Sequence, residues 1–86
     1  MKLYYSRQFR EDYQVLLPHV KTLLDKQLAF LVANPRHPSL RLKRIRHTRD
    51  IYEARITKSY RFTLYFEGGL AVLRRAGKHD DVLRNP

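Results

Sequence analysis

The chain has 86 residues, 43% of them hydrophobic, and its Lys and Arg outnumber its Asp and Glu to leave a formal net charge of +10. This length fits one domain over residues 1–86, and the composition excludes a disordered chain. No cysteine is present for disulfides or thiolate metal sites, and no apolar run approaches the roughly 18 residues that cross a bilayer. We therefore expect a cytoplasmic protein without metal, cofactor or membrane contact, whose partner is a polyanion.

The N-terminal part of the chain predicts a strand and two helices. Lys2 to Tyr5 is a short aromatic run that ends at Ser6, whose hydroxyl suits a helix N-cap. From Arg7 to Leu17 the apolar residues recur at helical spacing, and Pro18 starts a second such series that ends at Asn34. We expect an opening strand followed by a hairpin of two helices.

After residues 35–41, which contain two prolines and no periodicity, the hydrophobic period changes to two. Strands are predicted over Ile51 to Thr57, Tyr60 to Glu67 and Leu70 to Ala76, with a tight hairpin at Gly68-Gly69. A short segment from Asp80 to Arg84 can form one helical turn. The predicted fold is therefore α+β, with the N-terminal strand and helical hairpin preceding a three-strand antiparallel meander.

The alternation in these strands divides their side chains between two faces. The face predicted to lie against the helices carries Tyr52, Ala54, Ile56, Phe62, Leu64 and Phe66. Glu53, Arg55 and Arg61 are left together on the opposite, open face, because a tight turn at Lys58-Ser59 brings Arg61 across from the other two.

Most of the positive charge lies between residues 36 and 61, where nine basic residues face two acidic ones. A solvated surface is one interpretation of this cluster, but an excess of seven charges repels itself and favours an anionic partner. Arginine outnumbers lysine by seven to two, which favours bidentate contacts with phosphates. The residues predicted to bind RNA are Arg41, Lys43, Arg44, Arg46, Arg49, Arg55 and Arg75.

Two residues are candidates for proton transfer. His79 follows the last strand, where an imidazole can exchange a proton with a substrate near neutral pH, although most lone histidines are structural or simply exposed. Glu53 is the only carboxylate in the Ile51–Thr57 strand, and it is either a general base or the ion-pair partner of an arginine.

This order of elements resembles the RelE/ParE toxin superfamily of bacterial toxin-antitoxin systems over almost the whole chain. The resemblance depends on three short sequence segments, Tyr52-Glu53-Ala54-Arg55-Ile56, Tyr60-Arg61-Phe62 and Gly77-Lys78-His79-Asp80. Each piece is weak alone, but their order and spacing together are fairly specific. The resemblance implies a toxin that enters the ribosome and cuts messenger RNA by attack of a 2′-hydroxyl on the adjacent phosphate. It also implies an antitoxin protein that holds the toxin inactive.

The resemblance further implies roles for single residues. Arg61 matches the arginine that stabilises charge on the phosphate, His79 lies where relatives place a general acid or an arginine, and Glu53 lies on the strand of a base or charge-stabilising lysines. The chain departs from some relatives in having Asp80, where they have a tyrosine after the histidine. Two alternatives stay open: a ParE-like toxin that poisons DNA gyrase without nuclease chemistry, and an RNA-binding module without catalysis.

Overall fold

The computed structural model describes residues 1–86 as a five-stranded sheet with two long helices on one face and a short helix on the other. The strands are β1 (Lys2–Tyr5), β2 (Lys43–Arg44), β3 (Tyr52–Arg55), β4 (Tyr60–Glu67) and β5 (Leu70–Lys78). The helices are α1 (Arg7–Val15), α2 (Pro18–Ala33) and α3 (His79–Arg84), and a 3-10 turn covers Pro38–Leu40. No helix is long and apolar enough to cross a membrane.

The strands lie in the order β1-β5-β4-β3-β2. β1 pairs in parallel with β5, whereas β3, β4 and β5 form an antiparallel meander. The predicted α+β fold is confirmed. The two-residue strand β2 was not predicted, since Lys43-Arg44 lies in a stretch without alternation, and it pairs with β3 at Glu53 and Tyr52.

Local chemistry sets the ends of the first two helices. The Ser6 hydroxyl accepts a hydrogen bond from the Phe9 amide and caps α1 as expected. α1 ends at Val15, two residues before the predicted end at Leu17. Leu17 has an extended backbone because a residue before proline is sterically disfavoured in the helical region, and Pro18 then begins α2.

The hydrophobic core lies between the sheet and α1 and α2. Phe9, Leu24 and Leu31 from the helices meet Phe62 and Leu64 from β4, and all five side chains are essentially inaccessible to solvent. This arrangement confirms the predicted helix-facing side of β4. The same packing leaves the other face of the sheet without long helices.

Three strand boundaries differ from the prediction. β3 begins at Tyr52 rather than Ile51. β3 ends at Arg55 rather than residue 57, because the amides of Ile56 and Thr57 both turn inward to the Tyr60 carbonyl. β5 continues to Lys78 because it stays paired with the full length of β4. The register of that pair shifts between Thr63 and Leu64, which is the mark of a β-bulge.

The face predicted to be open is partly covered by the C-terminal segment. α3 packs on this face with Val82 fully buried, and a Cβ atom added at Gly77 would lie 3.2 Å from the Val82 side chain. Thr63 is also fully buried, and its hydroxyl donates a 3.0 Å hydrogen bond to the Pro86 carbonyl. Glycine at position 77 therefore lets residues 79–86 lie close against the sheet and divide its charged face into two parts.

Candidate active site

Arg61 lies near the start of β4, opposite Arg55 in the sheet, and its guanidinium is held by main-chain oxygens. Its Nη1 donates to the carbonyls of Thr57 at 2.6 Å, Lys58 at 3.0 Å and Tyr60 at 3.1 Å. These carbonyls belong to the β3–β4 turn, so the turn fixes the arginine. Nη2 donates to no protein atom and remains available for an anion.

Glu53 holds the other side of the same guanidinium. Its Oε1 lies 3.6 Å from the Arg61 Nε, and the residue is only 6% exposed although it points to the charged face. Lys43 lies directly across from Glu53 on β2. A carboxylate buried beside the Arg61 guanidinium is poorly placed to take a proton from a substrate, so the geometry favours the ion-pair interpretation of Glu53.

The surroundings of Arg61 weaken its hold on its proton. Burial and the neighbouring positive charges of Arg55 and Arg41 lower the pKa of the Arg61 guanidinium from its usual range, while Glu53 acts in the opposite direction. Arginine stays charged in proteins at neutral pH in spite of such shifts. The site therefore contains a cation whose charge is only partly neutralised by its protein partners.

His79 opens α3 at the end of β5. Its amide donates a 2.8 Å hydrogen bond to the Ser59 carbonyl, which ties the start of α3 to the β3–β4 turn. Its Nδ1 lies 3.0 Å from the Asp80 Oδ1, and 45% of the side chain is exposed. When Nδ1 carries a proton that it donates to Asp80, Nε2 is the ring nitrogen free to meet a substrate.

A shared hollow joins these two side chains. This Arg61 hollow, about 740 Å³ in volume, is lined by Lys58, Ser59, Arg61, Lys78, His79, Asp80 and Asp81. All seven lining residues are polar or charged, and the guanidinium and the imidazole both border the hollow. Such a site can stabilise charge on a phosphate and exchange a proton beside it.

The predicted RNA-binding residues are divided by the structure. Arg41, Lys43, Arg44, Arg46 and Arg49 are all exposed along the connection before β3 and around β2. Arg44 also donates from Nη1 to the Thr48 carbonyl, which shapes this connection. Their exposure leaves these side chains accessible to phosphates, and their role in binding RNA stays a prediction.

Arg75 is the predicted RNA-binding residue that the structure pairs most fully within the protein. Its Nε donates to Asp12 Oδ2 at 2.7 Å, and its Nη1 donates to the Asn85 carbonyl at 3.1 Å. The same Asp12 oxygen accepts the Ala76 amide, so the contact joins α1 to the unpaired edge of β5. Much of the hydrogen-bonding capacity of Arg75 is therefore used within the fold.

Sequence reasoning missed three contributors to the site. The Lys58 carbonyl is one of the three that bind Arg61, the Ser59 carbonyl accepts from the His79 amide, and Asp80 contacts the imidazole. Main-chain carbonyls have no residue-type signal, but the Lys58-Ser59 turn itself was visible between the two strands. The structure contains no group of three His, Asp or Glu side chains arranged to hold a metal ion.

Comparison with known proteins gives matches in structure alone. No protein-family model matches the chain, and no curated protein is similar to it in sequence. A copper-bound mutant toxin from Helicobacter pylori superposes with a TM-score of 0.80 at 19% identity, covering 95% of this chain and 98% of that one. YafQ from E. coli gives 0.79 at 16% identity, with 94% and 96% covered.

A third match comes from an antitoxin-toxin complex. A chain of the RelB-RelE complex from Methanococcus jannaschii superposes with a TM-score of 0.74 at 15% identity, covering 96% of this chain and 98% of that chain. The chain thus has the fold of RelE-type toxins along nearly its whole length. The sequence resemblance to the RelE/ParE superfamily is confirmed at the level of fold.

Proposed function

We propose that this chain is the toxin of a toxin-antitoxin system and that it cuts messenger RNA on the ribosome in the cytoplasm. The observation that carries the proposal is the Arg61 hollow, where a guanidinium fixed by three carbonyls shares a rim with His79. The shared fold supports a toxin role, because the similar structures include toxins. Fold alone does not select a reaction, so the chemistry of the hollow supplies that part.

The reaction is an internal transesterification of RNA. The 2′-hydroxyl of one nucleotide attacks the adjacent phosphorus, the bond from phosphorus to the 5′-oxygen breaks, and a cyclic 2′,3′-phosphate and a 5′-hydroxyl form. Nη2 of Arg61 stabilises negative charge on the phosphate oxygens. Protonated His79 gives its Nε2 proton to the leaving 5′-oxygen, and the proton of the 2′-hydroxyl leaves to solvent.

Glu53 and Asp80 act in this scheme as positioning residues. Glu53 holds Arg61 through Nε, and Asp80 holds the imidazole of His79 through Nδ1. Holding the two functional side chains in place before substrate binds lowers the entropic cost of reaching the transition state. The exposed cations from Arg41 to Arg49 bind the ribosomal and messenger RNA backbone.

The protein partner in this proposal is a cognate antitoxin. One similar structure is a chain of an antitoxin-toxin complex, and another comes from the E. coli DinJ-YafQ toxin-antitoxin complex. A partner that covers a cationic surface is expected to be acidic where it meets that surface. An adjacent gene for a small acidic protein would fit the proposal.

Induction of the chain in bacteria tests the function directly. Pulse labelling should show rapid arrest of protein synthesis, and transcripts should be cut, with DNA synthesis unaffected at early times. Arg61→Ala and His79→Ala should each abolish both effects. Arg10→Ala is the matched control, because Arg10 is an exposed arginine on α1, outside the Arg61 hollow.

Two outcomes of the induction experiment would reject the nuclease. DNA damage with intact transcripts would assign the chain to the gyrase-poisoning class. Continued protein synthesis despite soluble, folded protein would leave a binding module without catalysis. Circular dichroism of the purified variants checks that a lost effect is not a lost fold.

A further inference from the structure

A second hollow lies on the charged face of the sheet, on the far side of the C-terminal segment. This Tyr65 hollow, about 750 Å³ in volume, is bordered by strands β1, β4 and β5, by the connection before β3, and by the last three residues. Its principal side chains are Tyr4, His47, Tyr65, Val72, Arg74 and Arg84. None of these residues belongs to the Arg61 hollow.

The charge of the Tyr65 hollow is entirely of one sign. Three arginines and one histidine line it, and no Asp or Glu does. Arg75 is paired with Asp12. Arg74 donates from Nε to the Pro86 carbonyl at 3.1 Å, and neither Arg74 nor Arg84 has an acidic side-chain partner. An anion bound here would meet two cations without displacing a carboxylate.

The floor of the hollow is aromatic and apolar. Tyr65 lies directly across from Val72 in the sheet, and Val72 in turn pairs with Tyr4 on β1. The Arg74 guanidinium carbon lies 5.9 Å from the centre of the Tyr65 ring. An aromatic ring beside an arginine that has no acidic side-chain partner is the combination on which nucleobases stack while their phosphates are held.

The segment from Arg41 to Arg49, called here the basic connection, precedes β3 and lies between this hollow and the Arg61 hollow. At one end of the connection Arg41 is close enough for its charge to act on Arg61, and at the other end His47 and Thr48 line the Tyr65 hollow. Arg61 and Tyr65 are four residues apart on β4, which corresponds to about 13 Å at the rise of a strand. One nucleotide is too short to fill both hollows, whereas a strand of RNA reaches both along the exposed cations.

We propose that the Tyr65 hollow is a second subsite for single-stranded RNA, which stacks a nucleobase on Tyr65 and binds a phosphate through Arg74. This subsite rests on the proposed function, because it places a nucleotide beside the one whose phosphate enters the Arg61 hollow. The subsite anchors the RNA strand and thereby sets which bond reaches Arg61. An acidic protein segment is the competing occupant, but an aromatic floor between arginines matches a base and its phosphate better.

Binding of an RNA that cannot be cut tests the subsite. The probe is a fluorescein-labelled hexanucleotide with 2′-O-methyl riboses, and its affinity is measured by fluorescence anisotropy at fixed salt. Tyr65→Leu should weaken binding about tenfold, within the range for losing one base stack, and Tyr65→Phe should bind as the native chain does. Arg74→Met should weaken binding and reduce its salt dependence by about one phosphate.

Two control variants match these changes. Tyr5→Leu makes the same substitution on the opposite side of β1, against α1, and Arg10→Met removes an exposed charge from α1. Neither should alter the affinity for the hexanucleotide by more than about twofold. A set of probes with one base removed at each position adds a second test, since removal of the stacked base should weaken binding to the native chain but not to Tyr65→Leu.

Unchanged affinity of Tyr65→Leu, or equal sensitivity of both proteins to every base removal, would overturn the proposal. Unchanged RNA affinity combined with lost affinity for an antitoxin would assign the hollow to the protein partner. The binding assay needs no cleavage, so its result is independent of the nuclease activity. Intact transcripts on induction would reject the nuclease, whereas RNA binding that depends on Tyr65 would still support the subsite.

Discussion

Arg61 has its Nη1 bound by three carbonyls at the β3–β4 turn, and this fixed position distinguishes it from the exposed arginines between residues 41 and 49. A lysine in its place would keep the charge but lose the planar fork that contacts carbonyls and a phosphate together. Charge alone attracts RNA, whereas an orientated donor stabilises a particular transition state. A substitution at Arg61 can therefore separate the attraction of RNA from the stabilisation of the transition state.

We predict that Arg61→Lys lowers the rate of RNA cleavage by roughly 10²- to 10³-fold, as expected on removing a donor to developing charge. Affinity for the uncut hexanucleotide should change by less than about threefold, because the charge remains. Single-turnover cleavage and anisotropy measure the two quantities. A parallel loss of affinity and rate would show that Arg61 binds RNA without special action in the transition state.

Glu53 gives a second prediction at the residue scale, since it lies 3.6 Å from Arg61 and is almost fully buried. Glu53→Gln preserves the shape of the side chain and keeps a polar oxygen beside Arg61 Nε, so cleavage should fall no more than about tenfold. Loss of a general base typically costs 10²- to 10⁴-fold and changes the pH-rate profile. A loss of that size with an altered pH-rate profile would show that Glu53 acts as the general base.

At the scale of elements, the placement of α3 decides whether His79 meets Arg61. Val82 lies over Gly77, and the His79 amide is bound to the Ser59 carbonyl, so the helix is fixed to β5 and to the β3–β4 turn. The position of His79 at the edge of the Arg61 hollow depends on this close packing of α3 against β5. A Cβ at position 77 would require the Val82 side chain to give way by a few tenths of an ångström.

We predict that Gly77→Ala reduces cleavage about tenfold or more while costing about 1 kcal/mol of folding free energy, because its Cβ would crowd Val82 at 3.2 Å. Urea unfolding measures the stability. Gly69→Ala is the control, since a Cβ there meets no atom within 4 Å. Native activity in folded Gly77→Ala protein would mean that the position of α3 does not govern catalysis.

Local patterns account for the elements that the sequence predicted well. β4 lies at its predicted bounds because strict alternation from Tyr60 to Glu67 is flanked by turns at both ends. The clustering of Glu53, Arg55 and Arg61 also follows from the register of one short hairpin. Both inferences need only residues that are near one another in the chain.

The features that the sequence did not predict depend on contacts between segments that are distant in the chain. The bond from Arg75 to Asp12 joins residues 63 positions apart. The hydrogen bond from Thr63 to Pro86, 23 positions away, covers part of a face that alternation alone marks as open. These contacts depend on tertiary packing, which leaves no periodic signal in the sequence.

For the whole molecule, the uneven charge is the dominant feature, since residues 36–61 carry seven of the ten net positive charges. The exposed cations between residues 41 and 49 lie on and around the edge strand β2, and His47 and Thr48 of the same stretch line the Tyr65 hollow. A strand of RNA lying along them would release counterions at each phosphate contact.

We predict that the logarithm of affinity for the hexanucleotide falls with the logarithm of salt concentration with a slope of about −3.5, which corresponds to about five phosphate contacts. Replacing both Arg46 and Arg49 by Met should reduce the slope by about 1.4. Replacing both Arg7 and Arg10 on α1 is the control and should leave it unchanged. A slope near zero would rule out the basic connection as the RNA-binding surface.

The chemical ends of cut RNA test the central claim most directly. Purified protein is added to a bacterial translation reaction with a defined transcript, with and without ribosomes, and the fragment ends are analysed. We predict cuts that require ribosomes, leave cyclic 2′,3′-phosphates and 5′-hydroxyls, and disappear in Arg61→Ala and His79→Ala. Intact transcripts in the presence of ribosomes, or fragments with 5′-phosphates and 3′-hydroxyls, would contradict the account.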